Sequence, residues 1–226
     1  KAVPSDPERA TRLYALACER GWPGDCAFAA HAYEVGRSVP VDVVKARHLY
    51  ERGCELEETA ACIGLSQMVI DGLGGPEDPA QGAGSAKKAC DLADMEGCSL
   101  LSRLYARGEG VLQDRVRALS IARFACKGGA SMGCALAAHA FAQGEGLERN
   151  AREALAYYRR GCALEDPNAC FLAASSLERG AGAAQDTPGA VVLYTRARKL
   201  DPTYRWADEA LRRIARGKPP PADFED

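Results

Sequence analysis

Small, aromatic and cysteine residues recur along the chain at intervals of four. Ala46, Tyr50 and Cys54 follow one another at this spacing, and the same three residue types return over 154–162. Residues at i, i+4 and i+8 lie on one face of an α-helix. The pattern therefore predicts helices that end near these cysteines and bury a face of small and aromatic side chains.

The cysteines define a repeat. They occupy ten positions, namely Cys18, Cys26, Cys54, Cys62, Cys90, Cys98, Cys126, Cys134, Cys162 and Cys170. Within each pair the spacing is 8 residues, and from one pair to the next it is 36 residues, without deviation. A fixed period of about 20 to 50 residues is the sequence signature of a solenoid built from stacked repeats.

Glycines keep the same period. A glycine stands ten residues after the second cysteine of each pair, at Gly36, Gly72, Gly108, Gly144 and Gly180. Another follows two residues later in four repeats, at Gly74, Gly110, Gly146 and Gly182. Glycine adopts the left-handed conformation that closes many helices. Each repeat is therefore predicted to contain a second helix that runs from about its second cysteine to the first of these glycines.

These signals predict an all-α solenoid of six helix–turn–helix repeats. The predicted helix pairs cover about 7–36, 42–72, 79–108, 115–144, 151–180 and 187–217. We expect residues 1–217 to form a single solenoid domain, followed by a Pro-rich acidic tail at 218–226.

The sixth pair departs from the pattern, because Arg198 and Trp206 stand where the period would place cysteines. Terminal repeats of solenoids are atypical, since one of their faces has no neighbour. We expect Trp206 to cover the end of the core. Asp201 is predicted to cap the last helix, with Pro202 in its first turn. Residues 5–8 (Ser-Asp-Pro-Glu) predict a helix start at the front of the chain in the same way.

Charge and hydropathy narrow the functional classes. The chain of 226 residues has 29 Lys and Arg against 31 Asp and Glu, which gives a net charge of -2 and does not favour nucleic-acid binding. No apolar run approaches the 18 residues of a membrane span. Because the sequence begins with Lys1, we expect a mature or trimmed form, and a signal peptide or lipid anchor would lie upstream.

Two linkers carry a recognisable motif. Residues 108–114 read Gly-Glu-Gly-Val-Leu-Gln-Asp, and residues 144–150 read Gly-Glu-Gly-Leu-Glu-Arg-Asn. With the Tyr-x-x-x-Cys and Cys-x7-Cys spacings, they resemble the Sel1-like repeat (SLR) family, in particular its Helicobacter cysteine-rich protein (Hcp) type, over about residues 10–200. The resemblance implies a right-handed, TPR-like α/α superhelix that acts as an interaction scaffold. We predict no cofactor and no metal.

The resemblance also implies that each Cys-x7-Cys pair is a disulfide joining the two helices of a repeat. Seven intervening residues leave room for a chain reversal that brings the two Cβ atoms together. Pairs 36 residues apart do not suit the four converging ligands of a structural zinc site, although metal binding and free thiols stay open as alternatives. Five disulfides would require an oxidising location, either periplasmic, outer-membrane-associated or extracellular, with the mitochondrial intermembrane space as the alternative.

An enzymatic alternative comes from Ser85 and Lys88. They match the Ser-x-x-Lys nucleophile motif of penicillin-binding proteins and β-lactamases, but the accompanying Ser-Asp-Asn and Lys-Thr-Gly motifs are absent. The three histidines, His31, His48 and His139, form no recognisable triad by spacing. We therefore predict no catalytic residue. A β-lactam-binding or peptidoglycan-fragment-acting enzyme of the Hcp type is the alternative function.

Basic residues recur two and three positions before the first cysteines. The set comprises Arg52, Lys87, Lys88, Arg123, Arg159, Arg160 and Arg196. First helices line the concave face of such superhelices, so these side chains would form a basic surface for a protein or peptide partner with acidic groups. An equally simple interpretation is that they are solvated and paired with nearby glutamates.

The third pair is unusually rich in small residues, with Gly82, Gly84, Ser85 and Ala86 in its first helix. Glycine costs about 1 kcal/mol in a helix interior. This stretch either bends the array or leaves a depression beside the helix of Tyr50. If the chain has a ligand pocket, we expect it between the second and fourth pairs.

Overall fold

The computed structural model describes residues 6–22, 24–145 and 148–221. Twelve α-helices and no β-strand lie in these residues. In chain order the helices are α1 (Pro7–Glu19), α2 (Cys26–Val35), α3 (Val43–Glu55), α4 (Thr59–Ile70), α5 (Pro79–Asp91), α6 (Met95–Arg107), α7 (Arg115–Lys127), α8 (Ser131–Gln143), α9 (Ala151–Ala163), α10 (Pro167–Arg179), α11 (Thr187–Leu200) and α12 (Arg205–Ala215). The predicted all-α array of about six helix–turn–helix repeats is confirmed.

The chain forms two compact units. Unit one (Lys1–Asp114) contains α1 to α6, and unit two (Arg115–Asp226) contains α7 to α12. Within each unit every helix packs on the next helix in sequence, and in unit one α1 also packs on α3, α2 on α4 and α4 on α6. That residues 1–217 act as a single domain stays a prediction.

A carboxylate or amide side chain starts most of the first helices. The residue just before the helix accepts a hydrogen bond from the backbone N–H three positions on, and this residue is Asp6, Asp42, Asp78, Asn150 or Asp186. Such a cap satisfies one of the free N–H groups at a helix start. The predicted helix start at Asp6 is confirmed for its described part, residues 6–8, whereas Ser5 lies outside the described residues.

The repeated glycines close the second helices. Gly36, Gly108, Gly144 and Gly180 are left-handed caps of α2, α6, α8 and α10, as predicted. Of the second glycines of the linkers, Gly74, Gly110 and Gly182 each pack on the start of the first helix of their own pair. A Cβ at Gly110 would lie 1.8 Å from the carbonyl oxygen of Pro79, so only glycine fits this position. Gly146 lies outside the described residues.

Five disulfides join the end of the first helix to the start of the second in each of the first five pairs. They connect Cys18–Cys26, Cys54–Cys62, Cys90–Cys98, Cys126–Cys134 and Cys162–Cys170, with Cα atoms 4.4 to 4.9 Å apart. All ten cysteines are therefore paired. Each bridge closes a short loop and stabilises the fold by about 2–3 kcal/mol in the chain-entropy description.

Beside four of these disulfides, one glycine faces one alanine across the helix pair. The facing residues are Gly53 and Ala61, Gly97 and Ala89, Gly133 and Ala125, and Gly161 and Ala169. A Cβ on the glycine would lie only 2.5 to 2.8 Å from the alanine Cβ. One member of each pair must therefore lack a side chain, and this lets the two backbones approach closely enough for the disulfide.

Two predictions for the last pair are wrong. Trp206 does not cover the core, since its side chain is 53% exposed and the neighbouring Ala207 and Ala210 are buried instead. Asp201 does not cap α12, which starts at Arg205. Its Oδ1 accepts hydrogen bonds from the backbone N–H and the hydroxyl of Thr203, at 2.8 and 2.6 Å, so it closes an Asx turn before the helix.

The small residues of the third pair serve close packing. A Cβ at Gly82 would lie 2.5 Å from Ile70 Cγ1 and 3.0 Å from the Ser66 carbonyl oxygen, so α5 and α4 approach at this point. Gly84, two residues later, is exposed with no neighbour within 4 Å. The glycines therefore bring two helices together, and the pocket expected near this pair stays a prediction.

Candidate functional site: basic positions and a carboxyl-terminal cavity

In unit one the predicted basic residues all have partners. Arg52 pairs with Glu55 at 3.0 Å, and Lys87 pairs with Asp91. Lys88 Nζ donates to the carbonyl oxygens of Cys54 and Glu55, at 2.6 and 3.4 Å. Lys88 therefore caps the end of α3, where a positive charge also meets the negative end of the helix dipole.

In unit two the corresponding side chains are more available. Arg160 Nη2 donates to the Lys127 carbonyl oxygen at 3.2 Å, which caps α7 as Lys88 caps α3. Arg123 Nε donates to the Tyr157 hydroxyl at 3.0 Å. Arg159 and Arg196 are exposed, and neither has an ion pair or a hydrogen bond within the described part of the chain. The predicted basic set thus combines inter-repeat caps with uncompensated surface charges.

The two units also differ in net charge. Residues 1–114 contain 12 Lys and Arg against 18 Asp and Glu, whereas residues 115–226 contain 17 against 13. The nearly neutral net charge of the chain is therefore the sum of an acidic unit one and a basic unit two. A basic surface attracts acidic partners over a range of about 8 Å at physiological salt.

A buried ion pair lies between α10 and α12 in unit two. Arg213 donates through Nη1 and Nη2 to both oxygens of Glu178, at 2.7 and 2.6 Å, and the Glu178 side chain is only 3% exposed. The Tyr194 hydroxyl donates to Glu178 Oε2 at 3.0 Å. Burial, together with the adjacent Glu178 carboxylate, raises the pKa of the Tyr194 phenol.

This cluster was missing from the sequence prediction. A signal was present, because Glu178 and Tyr194 occupy the same repeat positions as Glu34 and Tyr50, four repeats earlier. In unit one the Tyr50 hydroxyl donates to Glu34 Oε2 at 2.9 Å. No repeat signal marks Arg213, since residue 69 at the matching position is a valine.

A cavity of about 160 Å³ opens above the buried ion pair. Its apolar walls come from Phe171, Tyr194 and Trp206, and from Pro220 and Pro221 of the segment after α12. Its polar lining comes from Ser175, Glu178, Arg179, Glu209 and Arg213. The cavity lies in the last two pairs, and it combines aromatic walls with a charged floor.

Ser85 and Lys88, on which the enzymatic alternative depends, form hydrogen bonds to different groups. Ser85 is buried, and its hydroxyl donates to the Gln81 carbonyl oxygen at 3.0 Å within the same helix. Lys88 Nζ is bonded instead to the end of α3. All three histidines are exposed, and His31 Nδ1 lies 3.5 Å from Glu34 Oε2. Among the described residues, Ser85 therefore has no basic hydrogen-bond partner.

Two other kinds of site, a membrane span and a metal site, are not found in the described residues. None of their helices is both long and apolar enough to span a membrane. They also contain no group of three or more His, Cys, Asp or Glu side chains placed to hold a metal ion.

Together these features define a class of helical repeat proteins in which disulfides close the helix pairs, here the first five of six. The Sel1 repeat model matches residues 1–22, 26–57, 59–94, 96–129, 131–166 and 167–202. The chain therefore belongs to the Sel1 repeat family, and the resemblance seen in the sequence is confirmed. This fold is typical of scaffolds for protein–protein interaction. A comparison with curated proteins finds no significant match.

Solved structures share the fold. A protective antigen of uropathogenic Escherichia coli superposes with a TM-score of 0.81 at 23% identity over 94% of this chain, which spans only 45% of the antigen. A Sel1 repeat protein from Oxalobacter formigenes gives a TM-score of 0.73 at 21% identity, over 86% of this chain and 87% of that one. Helicobacter pylori cysteine rich protein B gives 0.47 at 25% identity, over 59% and 96%.

Proposed function

We propose that the chain is a non-catalytic, exported repeat scaffold that binds an acidic segment of a protein or peptide partner. The contact surface is formed by the exposed arginines on the first helices of unit two, α7, α9 and α11. These helices carry Arg123, Arg159, Arg160 and Arg196 at corresponding repeat positions.

The proposal rests on the positive charges of Arg159 and Arg196, which no carboxylate among the described residues neutralises. In the part of the chain that the structure describes, neither side chain pairs with a carboxylate, whereas Arg52 and Lys87 in unit one do. Exposed charges without a local partner retain their full attraction for a charged ligand. The excess of basic residues in unit two supports the same choice of partner.

The five disulfides support export. They are consistent with an oxidising location, because cytosolic thiols are kept reduced. A periplasmic, outer-membrane-associated or extracellular position fits this chemistry, with the mitochondrial intermembrane space as the alternative. An upstream lipid anchor belongs to the same proposal.

The proposal is tested with a fluorescein-labelled hexaglutamate peptide and fluorescence anisotropy. Replacing both Arg159 and Arg196 by Glu should weaken binding about tenfold or more, and the loss should shrink as salt screens the charges. The control replaces Arg52 and Lys87 by Glu, which changes the net charge equally but alters compensated positions. Equal weakening by both variants, or none by the first, would contradict a site in unit two.

The absence of catalysis is tested with nitrocefin. Turnover should stay at the background level in the native chain and should not change in Ser85→Ala. Turnover that disappears with Ser85→Ala would establish the enzymatic alternative instead.

A further inference from the structure

The segment after α12 folds back on its own repeat. Gly217 has a left-handed φ of 65°, and after it Lys218 N–H donates to the Arg213 carbonyl oxygen at 3.2 Å. Pro220 and Pro221 then line the same cavity as Trp206, Glu209 and Ala210, which lie earlier in α12. Residues 217–221, here called the strap, therefore run back beside the helix they follow.

Arg213 connects the strap to the floor of the cavity. Its Nη1 donates both to Glu178 Oε1, at 2.7 Å, and to the Lys218 carbonyl oxygen, at 3.2 Å. The buried carboxylate holds the guanidinium in place, and the guanidinium holds the start of the strap. Beyond Lys218, Pro220 and Pro221 line the cavity together with the aromatic side chains.

The walls have the chemistry of a proline-binding groove. Phe171 and Tyr194 both line the cavity, and their ring centroids lie 5.3 Å apart. Trp206 joins them while leaving 53% of its surface exposed. Aromatic grooves bind Pro-rich segments because a polyproline helix is already ordered and loses little entropy on docking.

We propose that this cavity is a binding site for a Pro-rich segment of a partner protein, and that the chain's own Pro220 and Pro221 occupy its rim as a displaceable competitor. The site lies on α10, α11, α12 and the strap, and it recognises apolar prolines rather than acidic groups. It is therefore independent of the proposed acidic-peptide surface, and either can fail without the other.

The test uses two labelled pentapeptides, Lys-Pro-Pro-Pro-Ala, which is the sequence of residues 218–222, and its control Lys-Ala-Ala-Ala-Ala. Two full-length proteins are compared, the native chain and the variant Pro220→Gly/Pro221→Gly. A tethered competitor acts at an effective concentration of about millimolar. Loosening the strap should therefore tighten binding of the proline peptide about tenfold, without creating affinity for the alanine peptide.

Trp206→Ala in the strap variant should remove this binding, because it takes away one wall of the groove. A second measurement needs no variant. Excess proline peptide should displace the strap of the native chain and raise the hydrogen-exchange rate of the Lys218 amide about tenfold, while the alanine peptide should not. Equal binding of both peptides, or strap loosening without any gain in affinity, would show that the prolines are only a structural cap.

Discussion

The same tyrosine–glutamate pair occurs in both units in two different environments. Tyr50 donates to Glu34 in unit one, and Tyr194 donates to Glu178 in unit two, at repeat positions that correspond. Glu34 is 30% exposed, and the exposed His31 lies 3.5 Å from its carboxylate. Glu178 is buried and is held by both terminal nitrogens of Arg213.

The difference shows what a repeat position does and does not determine. It places the phenol and the carboxylate within hydrogen-bonding distance, because successive helices keep their register. It does not set the solvation of the carboxylate, which depends on the neighbouring second helix. A buried carboxylate needs a counter-charge, and α12 supplies Arg213, whereas Val69 stands at the matching position in α4.

Removing Arg213, the counter-charge of Glu178, should give the largest loss of stability. Arg213→Leu leaves the Glu178 carboxylate buried without its partner, and we expect the free energy of unfolding to fall by about 3–5 kcal/mol. The matched change in unit one, His31→Leu, touches an exposed pair and should cost less than about 0.5 kcal/mol. Urea denaturation without reductant measures both.

The double variant Glu178→Gln/Arg213→Leu separates the charge from the packing. It should recover much of the loss, because no buried charge is left uncompensated. If Arg213→Leu costs no more than His31→Leu, the Glu178 carboxylate is solvated in the native state, and the contrast between the two pairs is wrong.

Removing the phenol hydroxyl should produce the next largest difference. Tyr194→Phe takes a donor from a buried carboxylate and should cost about 2 kcal/mol. Tyr50→Phe should cost only about 1 kcal/mol, since water can replace the donor at the partly exposed Glu34. Thermal or urea unfolding of the two variants gives the comparison, and equal losses would contradict it.

The repeat architecture could be predicted from the sequence because its determinants are periodic. Gly108 and the other repeated glycines mark helix ends at every turn of the 36-residue pattern, and the cysteines mark the helix pairs. The last helix pair does not keep the repeated cysteines. Trp206 and Asp201 do not belong to the repeat pattern, so their roles are predicted from residue type alone. Such a prediction misses the exposure of Trp206 and the turn that Asp201 forms.

The site was only partly predictable for a related reason. The basic positions were visible in the sequence, but their roles depend on neighbours 33 or 34 residues away, as with Lys88 and Arg160. The facing Gly161 and Ala169 were also missed, because neither position is constant along the array. Only their combined size is conserved from one pair to the next, and that is a property of the packed backbones.

The two tyrosines should also make the fold sensitive to alkali. Burial, with the nearby Glu34 and Glu178 carboxylates, raises the pKa of Tyr50 and Tyr194 above the ordinary value of 10.0. The unfolded chain then loses these phenol protons first as the pH rises, so their contribution is complete below pH 10 and is lost above it. At pH 11 each should cost about 1 kcal/mol of stability.

Urea midpoints measured at about pH 9 and 11 test this prediction. Tyr194→Phe and Tyr50→Phe should each flatten the alkaline decline, and the absorbance of ionised tyrosine at 295 nm should show late-titrating phenols, Tyr50 and Tyr194 among them, that become normal in the urea-unfolded chain. An alkaline slope that neither substitution changes would mean that other groups cause it.

The smallest expected loss of stability comes from removing the two basic side chains that cap helices, Lys88 in unit one and Arg160 in unit two. This comparison distinguishes the two units most directly. Lys88 is partly buried and makes two bonds to the end of α3, so Lys88→Met should cost about 1 kcal/mol. Arg160 is exposed with one longer bond, so Arg160→Met should cost less than about 0.5 kcal/mol. Affinity for the hexaglutamate peptide should change in the opposite order, with a loss only for Arg160→Met. If Lys88→Met weakened the peptide and Arg160→Met did not, unit one rather than unit two would carry the acidic-partner surface.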